Sequence, residues 1–293
     1  MKIKTGMFLI LIIFSAFYIE SGYAGDSIPI FVSIPPQKQF VQQIGKDKVH
    51  VQVMVEPGAD PHTYEPKPQQ MVAISKARLY FAIGIDFETA KLKKIRSSSP
   101  DLKVVPTDRG IRKIPMAVHH HDPEESHHAE GLPDPHIWLS PRLVMVQART
   151  ILKALQDIDP ENSLFYENNC AAFMSELTRL DQDLTDLFSG KSGLRFMVFH
   201  PSWGYFAHTY GLQQIPIEME GKAPKPSQLK ELIDLARKNR IRVIFAQPQI
   251  SSENAKLIAR EIGGEVFFVD PLAENWFENL RLVASRFKAA LRP

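Results

Sequence analysis

The chain has 293 residues, enough for one large domain or two of ordinary size. Apolar residues make up 44% and charged residues 23%, the balance of a soluble globular protein. A formal net charge of +2 supplies no field that would argue for nucleic acid as a partner.

The N-terminus reads as a leader outside the fold. Lys2 and Lys4 form a positive start, residues 7–19 are apolar but short for a bilayer span, and Gly22-Tyr23-Ala24 supplies small residues at a cleavage site. Residues 1–24 are therefore expected to be a signal peptide cut after Ala24, an uncleaved membrane anchor being the alternative. Cys170, the one cysteine, has no partner for an internal bridge and lies too far from the cleavage region to carry a lipid. The expected product is free in the periplasm, not a lipoprotein, with Cys170 a buried and inert thiol.

Residues 28–34, 49–55, 78–83 and 103–106 read as strands, with helical patterns such as 37–44 and 69–76 between them. That alternation predicts parallel sheet built from βα units. Residues 141–156 then read as one helix, and a longer one follows with Asp159 as its expected N-cap and Pro160 at its first position. Its apolar positions are Tyr166, Cys170, Phe173, Leu177, Leu180, Leu184 and Leu187, a heptad stripe. Over 161–188 that helix would be roughly 42 Å long. A dimeric coiled coil or a strut between two lobes would account for it. The strut is preferred because βα units resume at once, with strands expected at 194–199, 213–217, 241–246 and 265–269 and helices at 227–238, 252–262 and 275–291. The predicted fold class is α/β: two lobes with parallel sheets, 25–158 and 190–293, joined by a linking helix over 159–189. No internal sequence repeat accompanies this repeated architecture.

Asp-Pro-His occurs twice, as Asp60-Pro61-His62 and Asp134-Pro135-His136. Proline fixes φ ahead of each histidine, and the aspartate can order the turn, which pre-aims an imidazole. His200 and Asp270 each end a predicted strand and precede a proline, and open α/β sheets bind ligands beyond the carboxyl ends of strands. Taken singly, a strand-end histidine is more often a structural residue, and an aspartate there is commonly an N-cap. Taken together, three imidazoles and one carboxylate make a well-formed zinc set, though the long-range spacing matches no local motif. His50 and His208 read as structural or surface residues. His119, His120, His121, His127 and His128 lie among acids with no apolar period, so a mobile loop over about 115–133 is expected.

Several segments together resemble the zinc/manganese-type solute-binding proteins of ABC transporters. These are Glu56-Pro57-Gly58-Ala59-Asp60-Pro61-His62-Thr63-Tyr64-Glu65-Pro66, Asp134-Pro135-His136-Ile137-Trp138-Leu139-Ser140-Pro141, and His200-Pro201-Ser202-Trp203-Gly204-Tyr205-Phe206. Ile217-Glu218 through Pro226 and Phe268-Val269-Asp270-Pro271-Leu272 extend the likeness over essentially the whole mature chain. The resemblance implies two α/β lobes bridged by one rigid helix, with the metal in the cleft between them and no enzymatic activity. It places the four ligands on His62, His136, His200 and Asp270. Histidine at the third place and an acidic, His-rich insertion belong to the zinc branch, whereas glutamate there goes with manganese. Some zinc-branch members have a disulfide in the C-terminal lobe, which this chain cannot form, so a slightly less rigid lobe is expected.

Chemistry favours the same ion. Neutral imidazoles suit borderline Zn²⁺, manganese prefers more oxygen ligands, and affinity order alone leaves Cu²⁺ and Ni²⁺ open. The expected partners are the zinc ion and an inner-membrane ABC permease, with the protein a monomer. The loop histidines would form a weak secondary zinc site, and Glu65 would orient the first loop or a ligand from behind. A manganese carrier and a zinc hydrolase are the alternatives. The hydrolase needs an open coordination position and a general base, and neither a His-Glu-x-x-His motif nor a nucleophile elbow is present.

Overall fold

The computed structural model describes residues 27–117, 132–218 and 222–291. Eight short strands, each running parallel to its neighbours, form two four-stranded sheets. The first sheet holds β1 (Ile28–Val32), β2 (Val49–Val53), β3 (Leu79–Ala82) and β4 (Lys103–Pro106) in the order β2-β1-β3-β4. The second holds β5 (Arg195–Val198), β6 (Gln213–Pro216), β7 (Val243–Ala246) and β8 (Glu265–Phe268) in the order β6-β5-β7-β8. The two lobes thus share one topology. β3 and β7 are buried along their whole length, because helices cover both faces of a parallel sheet. The edge strands β4 and β8 are only half covered.

The helices are α1 (Pro35–Gly45), α2 (Pro68–Ile74), α3 (Asp86–Ser98), α4 (Pro141–Ile158), α5 (Ser163–Phe188), α6 (Gly204–Thr209), α7 (Pro226–Lys238), α8 (Glu253–Glu261) and α9 (Trp276–Ala290). α3 is absent from the periodicity reading. It carries Lys91, Lys93, Lys94 and Arg96 and buries only Phe87, Glu88 and Ile95, so it has almost no apolar stripe. Acids in its first turn and Arg96 in its last suit the helix dipole and were the available signal. None of the described helices is long and apolar enough to cross a membrane.

The linking helix α5 has 26 residues, or roughly 39 Å. A separate 3₁₀ turn, Pro160–Asn162, precedes it, so Asp159 does not cap α5. The Asp159 carboxylate instead accepts from Asn162 Nδ2 and from the Tyr166 hydroxyl at 2.5 Å. The buried stripe follows the expected residues as far as Leu184 and then passes to Phe188 rather than Leu187. A straight helix drifts by about 20° per strict heptad, and α5 packs on α1, α4 and α9 within this chain. Cys170 is buried on this stripe, where burial raises its pKa and keeps it a thiol.

One hydrophobic core passes through both lobes. Phe40 of α1 meets Trp276 of α9 edge-on at 5.2 Å, Phe173 of α5 meets Phe277, and Phe196 of β5 meets Phe287 at 4.5 Å. Hydrogen bonds cross the same seam: Trp138 Nε1 donates to the Pro271 carbonyl, and Trp276 Nε1 to the Trp138 carbonyl, both at 2.7 Å. A second cluster around Met197, Leu232, Ile244 and Ile258 stays within the C-terminal lobe. Wide opening of the lobes would expose the aromatic seam, so the cleft is held by packing rather than by a loose hinge. Pro115 and Pro133, on either side of the histidine-rich segment in sequence, form an antiparallel bridge. The loop histidines and the leader lie outside the described residues.

Candidate metal centre

Each of three loops at the cleft delivers one imidazole, and each imidazole is backed by a carboxylate. His62 follows β2 in a turn that passes through Gly58 at φ +83, a left-handed position open to glycine. The Asp60 carboxylate accepts the His62 amide at 2.9 Å and so forms the turn. It does not touch the ring. Asp86, the first residue of α3, contacts His62 Nδ1 at 3.0 Å instead.

His136 sits at the start of the short 3₁₀ turn Ile137–Leu139. Asp134 Oδ1 accepts both its amide, at 2.9 Å, and its Nδ1–H, at 2.7 Å. Asp134 is itself fixed, its amide donating to Ile114 and its carbonyl accepting from the Tyr205 hydroxyl. The indole of Trp138 lies 5.1 Å from the His136 ring. Burial, opposed by Asp134 and assisted by the two neighbouring histidines, holds His136 below its usual pKa. That keeps the imidazole neutral, the form that binds metal.

His200 follows β5, and its Nδ1 meets Glu218 Oε1 at 2.6 Å with both residues buried. Sheet register explains the pair: Val198 on β5 stands opposite Pro216 on β6, so two residues further on His200 faces Glu218. With Nδ1–H given to a carboxylate in each case, all three Nε2 lone pairs are free for a common centre. The candidate ligand atoms of His62, His136 and His200 lie within 4.8 Å of one another, and Nε2 of His136 and His200 are 3.2 Å apart. Two lone pairs that close repel unless a cation or proton lies between them. Tetrahedral zinc at its usual Zn–N length separates two nitrogens by roughly 3.3 Å, so the donor set fits that ion.

Asp270 does not join the three imidazoles within that span. It follows β8 as expected, but its Oδ1 accepts from Gln249 Nε2 at 2.6 Å and from the Leu272 amide at 2.8 Å. Glu65, 74% exposed, pairs with Lys91 Nζ at 2.5 Å and so ties the first loop to α3, while the carboxylate at the His62 ring is that of Asp86. His50 on β2 and His208 on α6 are exposed and outside the group. A hollow of about 740 Å³ between α3 and β4 is lined by no histidine. The candidate site is the tighter cavity that His62, His136 and His200 line together with Gln247 and Gln249.

Residues 30–290 match the family described as zinc-uptake complex component A, periplasmic. The chain belongs to that family. A crystal structure of ZnuA is 45% identical and superposes with a TM-score of 0.85, covering 91% of this chain and 100% of that one. The high-affinity zinc uptake system protein ZnuA of Bacillus subtilis (strain 168) is 28% identical over 256 residues, 85% of this chain and 79% of its own length. The manganese ABC transporter substrate-binding lipoprotein PsaA of Streptococcus pneumoniae is 27% identical over 271 residues, 87% of this chain and 84% of its own. The family supplies substrate-binding components of metal uptake systems, not enzymes, and the two lobes joined by one long helix are its fold.

Proposed function

We propose that this protein captures Zn²⁺ in the periplasm and delivers it to an inner-membrane ABC permease. The observation that carries the reading is the convergence of three carboxylate-backed imidazoles with their Nε2 atoms turned to one point. An all-imidazole triangle favours zinc over manganese, whose coordination demands more oxygen. Asp270 supplies the fourth ligand when the ion is bound, closing the site to water. A closed site suits a carrier and leaves no open position for hydrolysis. His119, His120, His121, His127 and His128 form a weaker secondary zinc site that raises the local concentration near the cleft. The protein works as a monomer, free of a lipid anchor once its leader is removed.

Native mass spectrometry of residues 25–293, stripped of metal and offered equal zinc and manganese, tests this reading. One zinc retained ahead of weaker additional zincs, with manganese excluded, is the expected result. Manganese in the tight position would overturn the ion and keep the carrier. No tight metal at all would overturn the site.

A further inference from the structure

The three imidazoles share one cluster, but Asp270 lies outside it. Asp270 Oδ1 is held by two donors, Gln249 Nε2 at 2.6 Å and the Leu272 amide at 2.8 Å. The Asp270 carbonyl is fixed as well, accepting from Asn279 Nδ2 at 2.7 Å. Gln249 lines the cavity that the three histidines share, and Asp270 does not. The amide therefore stands on the cleft side of the carboxylate it holds. Its other end, Gln249 Oε1, is buried without a hydrogen-bond partner among the described residues. Native proteins rarely leave a buried carbonyl unpaired, and such an atom calls for a functional account.

We infer that Gln249 keeps Asp270 in reserve, competing with the bound ion for the carboxylate and so setting how readily the site releases it. The inference rests on the reading that Asp270 completes the zinc site. A hydrogen bond to an ionised carboxylate is among the stronger kinds, and it draws Asp270 Oδ1 toward Gln249 rather than toward the imidazoles. The ligating orientation of Asp270 is thus only fractionally populated, and apparent affinity is reduced by that fraction. A carrier gains from this arrangement. Three imidazoles capture the ion, and the fourth bond stays weak enough to break at the permease.

Zinc transfer from the full chain to a chelator, followed by stopped flow, tests the idea in four proteins: wild type, Gln249→Leu, Asp270→Asn and the double variant. Gln249→Leu is expected to release zinc more slowly, on the order of tenfold, the scale seen when a group behind a metal ligand is changed. Asp270→Asn is expected to release it faster, and Gln249→Leu to add nothing in that background. Faster release from Gln249→Leu would show the amide supporting the bound state and overturn the inference, as would an equal effect in both backgrounds. Asp270→Asn releasing zinc like wild type would overturn the four-ligand reading and this inference with it. Gln249→Ala, which cannot overfill the cavity, gives the same order if the leucine packs badly. Melting of the metal-free proteins separates loss of fold from a change in release.

Discussion

The tripeptide Asp-Pro-His is used twice in the cleft, and its two copies are built differently. At Asp134-Pro135-His136 the aspartate reaches its own histidine, one oxygen accepting both the amide and the ring N–H. The two side chains are 1% and 6% exposed. At Asp60-Pro61-His62 the aspartate accepts the histidine's amide but not its ring N–H, and the ring is backed by Asp86 from another element. Here the imidazole is 34% exposed and its carboxylate 78%. Local chemistry sets the same turn in both places, and burial decides what stands behind the imidazole. The cleft therefore has one preformed wall, His136 with His200, and one softer wall at His62 facing solvent.

Removing the buried imidazole separates the two walls most clearly. His136→Ala is expected to lower zinc affinity by more than the roughly 10–100-fold that changes behind a ligand cause. It also leaves Asp134 buried without its ring donor, which costs the metal-free protein about 1–3 kcal/mol. His62→Ala is expected to lose zinc as well but to keep metal-free stability within about 0.5 kcal/mol. Zinc titration and chemical denaturation of both variants measure this, and equal destabilisation would end the distinction between the walls.

The backing carboxylates sharpen it further. Asp134→Asn should weaken zinc binding by roughly 10–100-fold. Asp86→Asn, acting through an exposed pair, should cost at most the roughly 1 kcal/mol typical of surface ion pairs, a few-fold in affinity. Competition against a chelator ranks the two, and a larger loss from Asp86→Asn would reverse the assignment of the walls.

Acid should act through the buried wall. The folded His136 titrates below its ordinary value of 6.5, chiefly from burial. As pH falls, the unfolded chain takes up that proton first, so the contribution of His136 is full above about 6.5 and is lost progressively below it. Metal-free melting temperatures should fall between pH 7.5 and 5.5, and His136→Gln should flatten the slope. Zinc affinity should fall over the same window as the imidazoles protonate, and a zinc titration unchanged down to pH 5 would contradict this. The smallest effect is expected from Glu65→Gln, which removes an exposed pair with Lys91 worth about 0–1 kcal/mol and leaves zinc binding unchanged.

Strand placement was legible throughout, because short β-branched runs between helical segments leave few arrangements other than βα units. The stripe on α5 was legible too, down to Leu184. α3 was not, since tertiary burial of Phe87 and Ile95 carries a helix whose surface is mostly charged. Its loss hid Asp86, and with it the carboxylate that stands at the His62 ring. Glu218 could be seen in the sequence, but only the pairing of β5 with β6 shows that it faces His200.

By itself the sequence determined the α/β class and the two lobes with their strut, and it offered His62, His136, His200 and Asp270 as candidate ligands. These follow from periodicity, turn chemistry and strand ends, which act over a few residues. Tertiary structure alone decided which carboxylate backs each ring, which turn is buried, and that Asp270 is held by Gln249 rather than by the imidazoles. Those depend on contacts between segments far apart in the chain, where burial and sheet register choose among partners that the local sequence leaves equivalent.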